Sequence, residues 1–226
     1  MNRSEQLLSA FSENYFFKEL TFCDLKFTPK DGTEVELADL MINMGGLILV
    51  IQLKAREPSK QTSNSAIEKK WLEKKCKIAK KQIKDSFDYI KKNSLTIKNA
   101  QNQCIPVNDM ATIIPLVVFY NDQIFDYEHI LRKHSSDGID VNCISFADYQ
   151  TMCQELISPM EIFQYLEWRR SFYLNNGSVD IFIQETEGGI HITKPKNNES
   201  LIHSFLIEKY GEKALDFPEG FLEEFN

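Results

Sequence analysis

The sequence predicts an α/β fold built on a mixed β-sheet, and three observations lead there. A helical segment is followed by three closely spaced extended segments. A long amphipathic helix then leads to a further buried strand, as a crossover between parallel strands requires. The third extended segment, Leu-Ile-Leu-Val-Ile-Gln-Leu-Lys-Ala, is apolar on both faces, which puts it in the middle of a covered sheet.

Residues 4–18 carry helical spacing (Leu7, Leu8, Phe11, Tyr15), with Ser4 as N-cap. The pattern turns extended over 20–27, and Pro29-Lys30-Asp31-Gly32 supplies a turn. A second strand covers 34–43, Gly45-Gly46 makes a tight turn, and the third strand covers 47–55. A polar stretch, 58–64, leads to a long helix over 65–92 whose apolar stripe is Ile67, Trp71, Ile78, Ala79, Ile83, Phe87 and Ile90. Residues 113–120 form a buried strand that Pro115 should make less regular. A short helix near 127–134, a strand over 141–146 and a helix over 159–173 follow. The tail adds a hairpin over 179–192 turning at Gly188-Gly189, a helix near 200–210 and a Phe/Glu-rich end.

Composition excludes several classes. At 226 residues, with 42% hydrophobic and 26% charged, the chain is long enough to bury one good core. It has neither a segment for a membrane span nor a signal-peptide pattern, so no membrane partner and a cytoplasmic location are expected. Cys23, Cys76, Cys104, Cys143 and Cys153 show no zinc-like spacing and read as free thiols, and the four histidines are dispersed. No Walker loop, GxSxG elbow or GxGxxG is present. Net charge is −7, yet residues 54–98 hold 14 Lys and Arg against five Asp and Glu, a local +9 that leaves −16 for the rest. A phosphate-facing surface has that profile, and so has a solvated lysine-rich helix face.

The informative feature is the polar interruption of the second and third strands. Alternation puts Ile48, Val50, Gln52, Lys54 and Arg56 on one side. A two-residue loop at Gly45-Gly46 makes paired positions sum to 91, so Asp39 falls opposite Gln52, with Lys54 two residues further on the same face. Carboxylate, amide oxygen and ammonium in one patch suit phosphodiester hydrolysis. Asp39 would hold a hard cation, and the Gln52 side-chain carbonyl or the Leu53 backbone carbonyl would complete the shell. Lys54 would orient water and offset developing charge. The plain alternative is an exposed Asp39–Lys54 ion pair with Gln52 incidental.

Asp39 and Gln52-Leu53-Lys54, with 12 residues between Asp39 and Gln52, resemble the PD-(D/E)xK nuclease superfamily in its Mrr-type QxK form. The resemblance covers residues 1–150, which are read as one domain, with 151–226 as an extension packed on it. It implies a restriction-endonuclease-like αβββαβ core. It also implies Mg²⁺ (Mn²⁺ as alternative), DNA as substrate, and a role in antiphage defence or DNA processing, acting as a homodimer or beside a partner subunit. Relatives of this kind often add a glutamate from the first helix; Glu5 is the first candidate here and Glu13 the second. Glu36, in a Glu-x-x-Asp arrangement, faces away from Asp39 by alternation unless a bulge intervenes. Lys75 and Gln82 on the long helix are supporting candidates, and Tyr165-Leu166-Glu167-Trp168-Arg169 resembles accessory helices of bacterial members. Because Gln52 replaces the usual acid, a module that grips nucleic acid or a protein partner without cutting is the alternative. A scaffold unrelated to nucleic acid is the third reading.

Overall fold

The computed structural model describes residues 3–27, 35–93, 96–99, 101–107, 110–124, 127, 129–131, 139–156, 158–176, 182–186, 189–193 and 198–211. The chain forms an α/β fold with a six-stranded mixed sheet and, among the described residues, five α-helices. Helix α1 (Arg3–Phe16) precedes strands β1 (Thr21–Phe27), β2 (Val35–Asn43) and β3 (Leu47–Ala55), then helix α2 (Ser65–Lys92). Two short strands, β4 (Thr96–Lys98) and β5 (Cys104–Pro106), pair with each other. Strands β6 (Thr112–Tyr120), β7 (Ile130–Leu131) and β8 (Val141–Ser145) complete the main sheet. Helices α3 (Phe146–Glu155) and α4 (Pro159–Asn176), a hairpin of β9 (Phe182–Thr186) and β10 (Gly189–Thr193), and helix α5 (Asn198–Tyr210) follow.

The sheet order is β1-β2-β3-β6-β8-β7. The first three strands form an antiparallel meander, β6 and β8 run parallel to β3, and β7 closes the far edge antiparallel. Helix α2 is the crossover from β3 to β6. It covers one side of the sheet, where Leu72, Cys76, Ala79, Ile83, Phe87 and Ile90 meet Met41, Ile48, Val50, Val117 and Phe119. The other side is covered by α1, α3, α4 and α5, whose Leu8, Tyr149, Leu166 and Phe205 share a cluster with Leu49, Ile51 and Val118. Strand β3 is therefore buried on both faces.

Several expectations need correction. The helix expected near 127–134 is not formed: Ile130 and Leu131 are strand β7. These two side chains point into opposite clusters, as alternation demands, and the backbone finds partners that a helix would forgo. The His129 carbonyl accepts from the Cys143 N–H at 2.8 Å, and Lys80 Nζ donates to the Leu131 carbonyl at 2.7 Å. Pro115 does not disturb β6, which pairs continuously with β3 from Thr112 to Tyr120. The β8 ladder begins only at Leu116, so the missing N–H of proline costs no bond there. Helix α2 is also rotated from its expected stripe. Ile67 and Ile78 are exposed, while Glu68, Leu72 and Cys76 are buried. Helix α3 and the β4–β5 pair had no counterpart in the sequence reading; α3 starts at Ser145, whose Oγ accepts from the Asp148 N–H. The turn at 29–32, residues 132–134, Gly188 and the end from 212 lie outside the described residues. None of the five cysteines is in a disulfide; Cys76, Cys143 and Cys153 are buried. Among the described residues no helix is long and apolar enough to cross a membrane.

Candidate active site at the ends of β2 and β3

The register of β2 and β3 fixes the site. Leu40↔Ile51, Met41↔Val50, Ile42↔Leu49 and Asn43↔Ile48 all sum to 91. The connection is the two-residue Gly45-Gly46 loop, closed by the Met44 N–H on the Leu47 carbonyl at 2.9 Å. Gly45 takes φ +79°, a left-handed value that glycine reaches without strain, and its N–H donates to Asn43 Oδ1 at 2.9 Å. The next pair beyond the ladder is Asp39 with Gln52. Here the Asp39 side chain replaces a backbone partner: the Leu53 N–H donates to Asp39 Oδ2 at 2.6 Å.

Three polar groups meet at this point. Lys54 Nζ donates to Gln52 Oε1 at 3.1 Å and lies 3.7 Å from Asp39 Oδ2. The side chains of Lys54 and Asp39 are only 12% and 7% exposed, and Gln52 is fully buried. The Asp39–Lys54 ion pair is therefore largely buried, not the exposed pair of the plain alternative. Burial of the two side chains sets the electrostatics of the pair. Burial pushes the Asp39 carboxyl from its ordinary 3.8 up to about 6, against the pull of Lys54 and the Leu53 N–H. Burial also holds the Lys54 ammonium below its ordinary value, although Asp39 and Glu36 favour its charge. Gln52 Nε2 is buried without a hydrogen-bond partner.

The supporting residues divide. Between Leu25 and Lys26 the β1–β2 register slips by one, leaving Leu37 as the extra residue on β2. This bulge reverses the alternation, so Glu36 joins the Asp39 side. Its carboxylate acts on both Asp39 and Lys54, yet it remains exposed. Glu5, in the first turn of α1, also pushes the Asp39 carboxyl upward. Lys75, half-buried on α2, acts on Lys54 and lowers its proton affinity. Gln82 lies two turns further along α2 and buries an Oε1 that has no hydrogen-bond partner. Glu13 is engaged within its own helix, accepting from Ser9 Oγ at 2.9 Å. In the accessory-helix segment, Arg169 is buried and serves the fold: it donates to the His129 and Cys143 carbonyls and to Asn142 Oδ1.

A neighbouring network escaped the sequence reading. Glu68, fully buried in the first turn of α2, accepts from Asn121 Nδ2 at 2.6 Å and from the Thr62 N–H at 3.1 Å. Arg56, two residues beyond Lys54, lies with Nε 3.2 Å from the same carboxylate and its guanidinium 5.5 Å over the Trp71 ring. The signal was present in the spacing 68-72-76-79-83, which makes Glu68 part of the buried line of α2.

The donor set suits a hard cation held by oxygen. Asp39 Oδ2 and Gln52 Oε1 converge on one positive centre, the Lys54 ammonium, and a buried carboxyl at about 6 gains from any further cation. Among the described residues no three His, Cys, Asp or Glu side chains gather as a metal group, so an ion here would draw on amide and backbone oxygens beside one carboxylate. No protein-family model, no curated protein and no solved structure matches the chain.

Proposed function

We propose that this chain is a divalent-metal-dependent phosphodiesterase acting on DNA, with a restriction-endonuclease-like core of the PD-(D/E)xK type in its QxK form. The observation that carries the reading is the convergence of Asp39, Gln52 and Lys54 within one buried patch, at 3.1 and 3.7 Å from the Lys54 ammonium. The element order α1-β1-β2-β3-α2-β6 and the lysine-rich α2 agree with it.

Asp39 and Gln52 would hold Mg²⁺ or Mn²⁺, with the Leu53 carbonyl as a third oxygen. When bound, such an ion lowers the pKa of a coordinated water and polarises a phosphoryl oxygen. Lys54, already fixed by both oxygen ligands, would orient the attacking water and offset charge on the non-bridging oxygens in a site with little solvent screening. Glu36 and Glu5 tune Asp39 from outside the first contacts. Defence against phage or DNA processing, as a homodimer or with a partner subunit, is the setting that the resemblance suggests.

Plasmid nicking with and without Mg²⁺, on wild type and Lys54→Ala, tests the reading. Metal-dependent cleavage that the variant loses supports the enzyme; equal cleavage by both refutes Lys54 as the catalytic group. A neutral amide at the usual acidic position favours a second reading, a non-cutting nucleic-acid binder, and DNA binding without cleavage by either protein selects it.

A further inference from the structure

We propose that one flank of α2 is a binding strip for single-stranded nucleic acid that carries an unpaired strand to Asp39 and Lys54; what happens at the end of the strip rests on the phosphodiesterase reading. Helix α2 buries one face, Glu68, Leu72, Cys76, Ala79, Ile83, Ser86, Phe87 and Ile90. Beside it, in steps of four and three, run Ile67, Trp71, Lys74, Ile78 and Lys81. Ile67 and Ile78 are 49% and 44% exposed, Lys74 and Lys81 are exposed, and Trp71 is half-buried. Lys75 adjoins this line on the inner side and acts on Lys54, while Arg56, at the polar end of β3, lies against Trp71. The strip therefore borders the site. From Ile67 to Lys81 it extends about 21 Å along the helix, and Asp85 ends it with a negative charge.

The order of residue types decides between ligands. Duplex DNA offers phosphates outward and keeps its base faces stacked, so lysines alone would serve it. An indole and two exposed isoleucines between lysines have no use for a phosphate backbone, but they match splayed bases, which each present an apolar π-face. A protein partner docking along this line would meet Lys74 and Lys81 in the seam where apolar residues are needed. The helix carries ten lysines and four acids inside a chain of net charge −7, and two of those lysines, Lys74 and Lys81, lie in the strip. A polyanion with exposed apolar faces is the complementary ligand.

The test uses the full chain in EDTA, so that binding is read without cleavage. Fluorescence anisotropy compares a labelled oligothymidylate with a duplex of equal length. We expect the single strand to bind about tenfold more tightly, and Trp71→Ala and Ile78→Ser each to weaken it about tenfold, with duplex affinity changed less than about twofold. Lys74→Glu with Lys81→Glu should weaken both ligands and flatten the salt dependence. Equal or tighter duplex binding overturns the proposal, and so does an Ile78→Ser protein that binds the oligonucleotide as wild type does. Ile78 is exposed, so that variant decides even if Trp71→Ala fails to fold. A dimer that Ile78→Ser dissociates would assign the line to a second copy and overturn it equally. Strand preference without Mg²⁺-dependent cleavage of either the oligonucleotide or plasmid upholds the strip and sinks the phosphodiesterase; metal-dependent cleavage without strand preference does the reverse.

Discussion

Asp39→Asn should make the protein more stable at pH 8 and, on the proposed function, abolish metal-dependent nicking. Burial raises the folded-state carboxyl from 3.8 to about 6, so folding favours the protonated acid. Stability tied to this group is complete below 3.8 and is lost as pH rises through about 6. The gap is worth about 3 kcal/mol, withdrawn from wild type between pH 4 and pH 8. The attraction of Lys54 is already inside that figure, since it lowers Asp39 toward 6. Asparagine stays neutral and loses nothing across the window. Its amide keeps an oxygen for the Leu53 N–H but adds an NH₂ beside the unpartnered Gln52 Nε2, a cost of about 1 kcal/mol at every pH. The variant should therefore be about 2 kcal/mol more stable at pH 8 and about 1 kcal/mol less stable at pH 4. Urea unfolding followed by circular dichroism, without divalent metal, reads the midpoints with m as a check. Adding Mg²⁺ at about a hundredfold over its Kd should return about 2.7 kcal/mol to wild type and nothing to the variant. A stability difference that fails to grow with pH would refute the buried-acid argument.

Other perturbations separate tuning from structure. Glu36→Gln removes a negative charge that acts on Asp39, so the carboxyl should ionise at lower pH; the acid limb of a nicking pH profile should move down by a fraction of a unit, and an unmoved limb would deny the coupling. Glu68→Ala should cost about 3–5 kcal/mol in urea unfolding, because it strands Arg56 and the Asn121 amide away from water; a loss below about 1 kcal/mol would mean water replaces the carboxylate. Gly45→Ala should cost about 1 kcal/mol with m unchanged, a backbone effect alone, since a Cβ there meets nothing within 4 Å.

The meeting of Asp39, Gln52 and Lys54 was legible because it depends on local rules. A Gly-Gly turn sets the β2–β3 register, and strand alternation then decides which side chains can meet. Neither rule needs distant parts of the chain. The orientation of α2 was less legible: Ile67 and Ile78 are as apolar as Leu72 and Ala79, and only the sheet determines which line is buried. Tertiary partners likewise decide β7, since two residues carry no period and their strand state depends on β8, Lys80 and Arg169. The bulge at Leu37 shows in pairing rather than in composition, so Glu36 could be placed only conditionally from sequence.

Buried polar groups also help to distinguish scaffold from site. Glu68 is satisfied by Arg56, Thr62 and Asn121 and ties the start of α2 to the ends of β3 and β6. Arg169 spends its donors on the His129 and Cys143 carbonyls, Asn142 and His129 Nδ1, tying α4 to β7 and β8. Both hold elements together through these bonds, although Arg169 Nε is itself buried without a hydrogen-bond partner. The Asp39 cluster differs in its charges. Its acid is pushed up, its ammonium is pushed down, and the glutamine amide has no acceptor. A valine at 52 would serve the β3 core better than a glutamine with an orphaned Nε2. The proposed function would account for such a cost in a strand buried on both faces. A cation and a phosphate would supply the charges that this patch lacks.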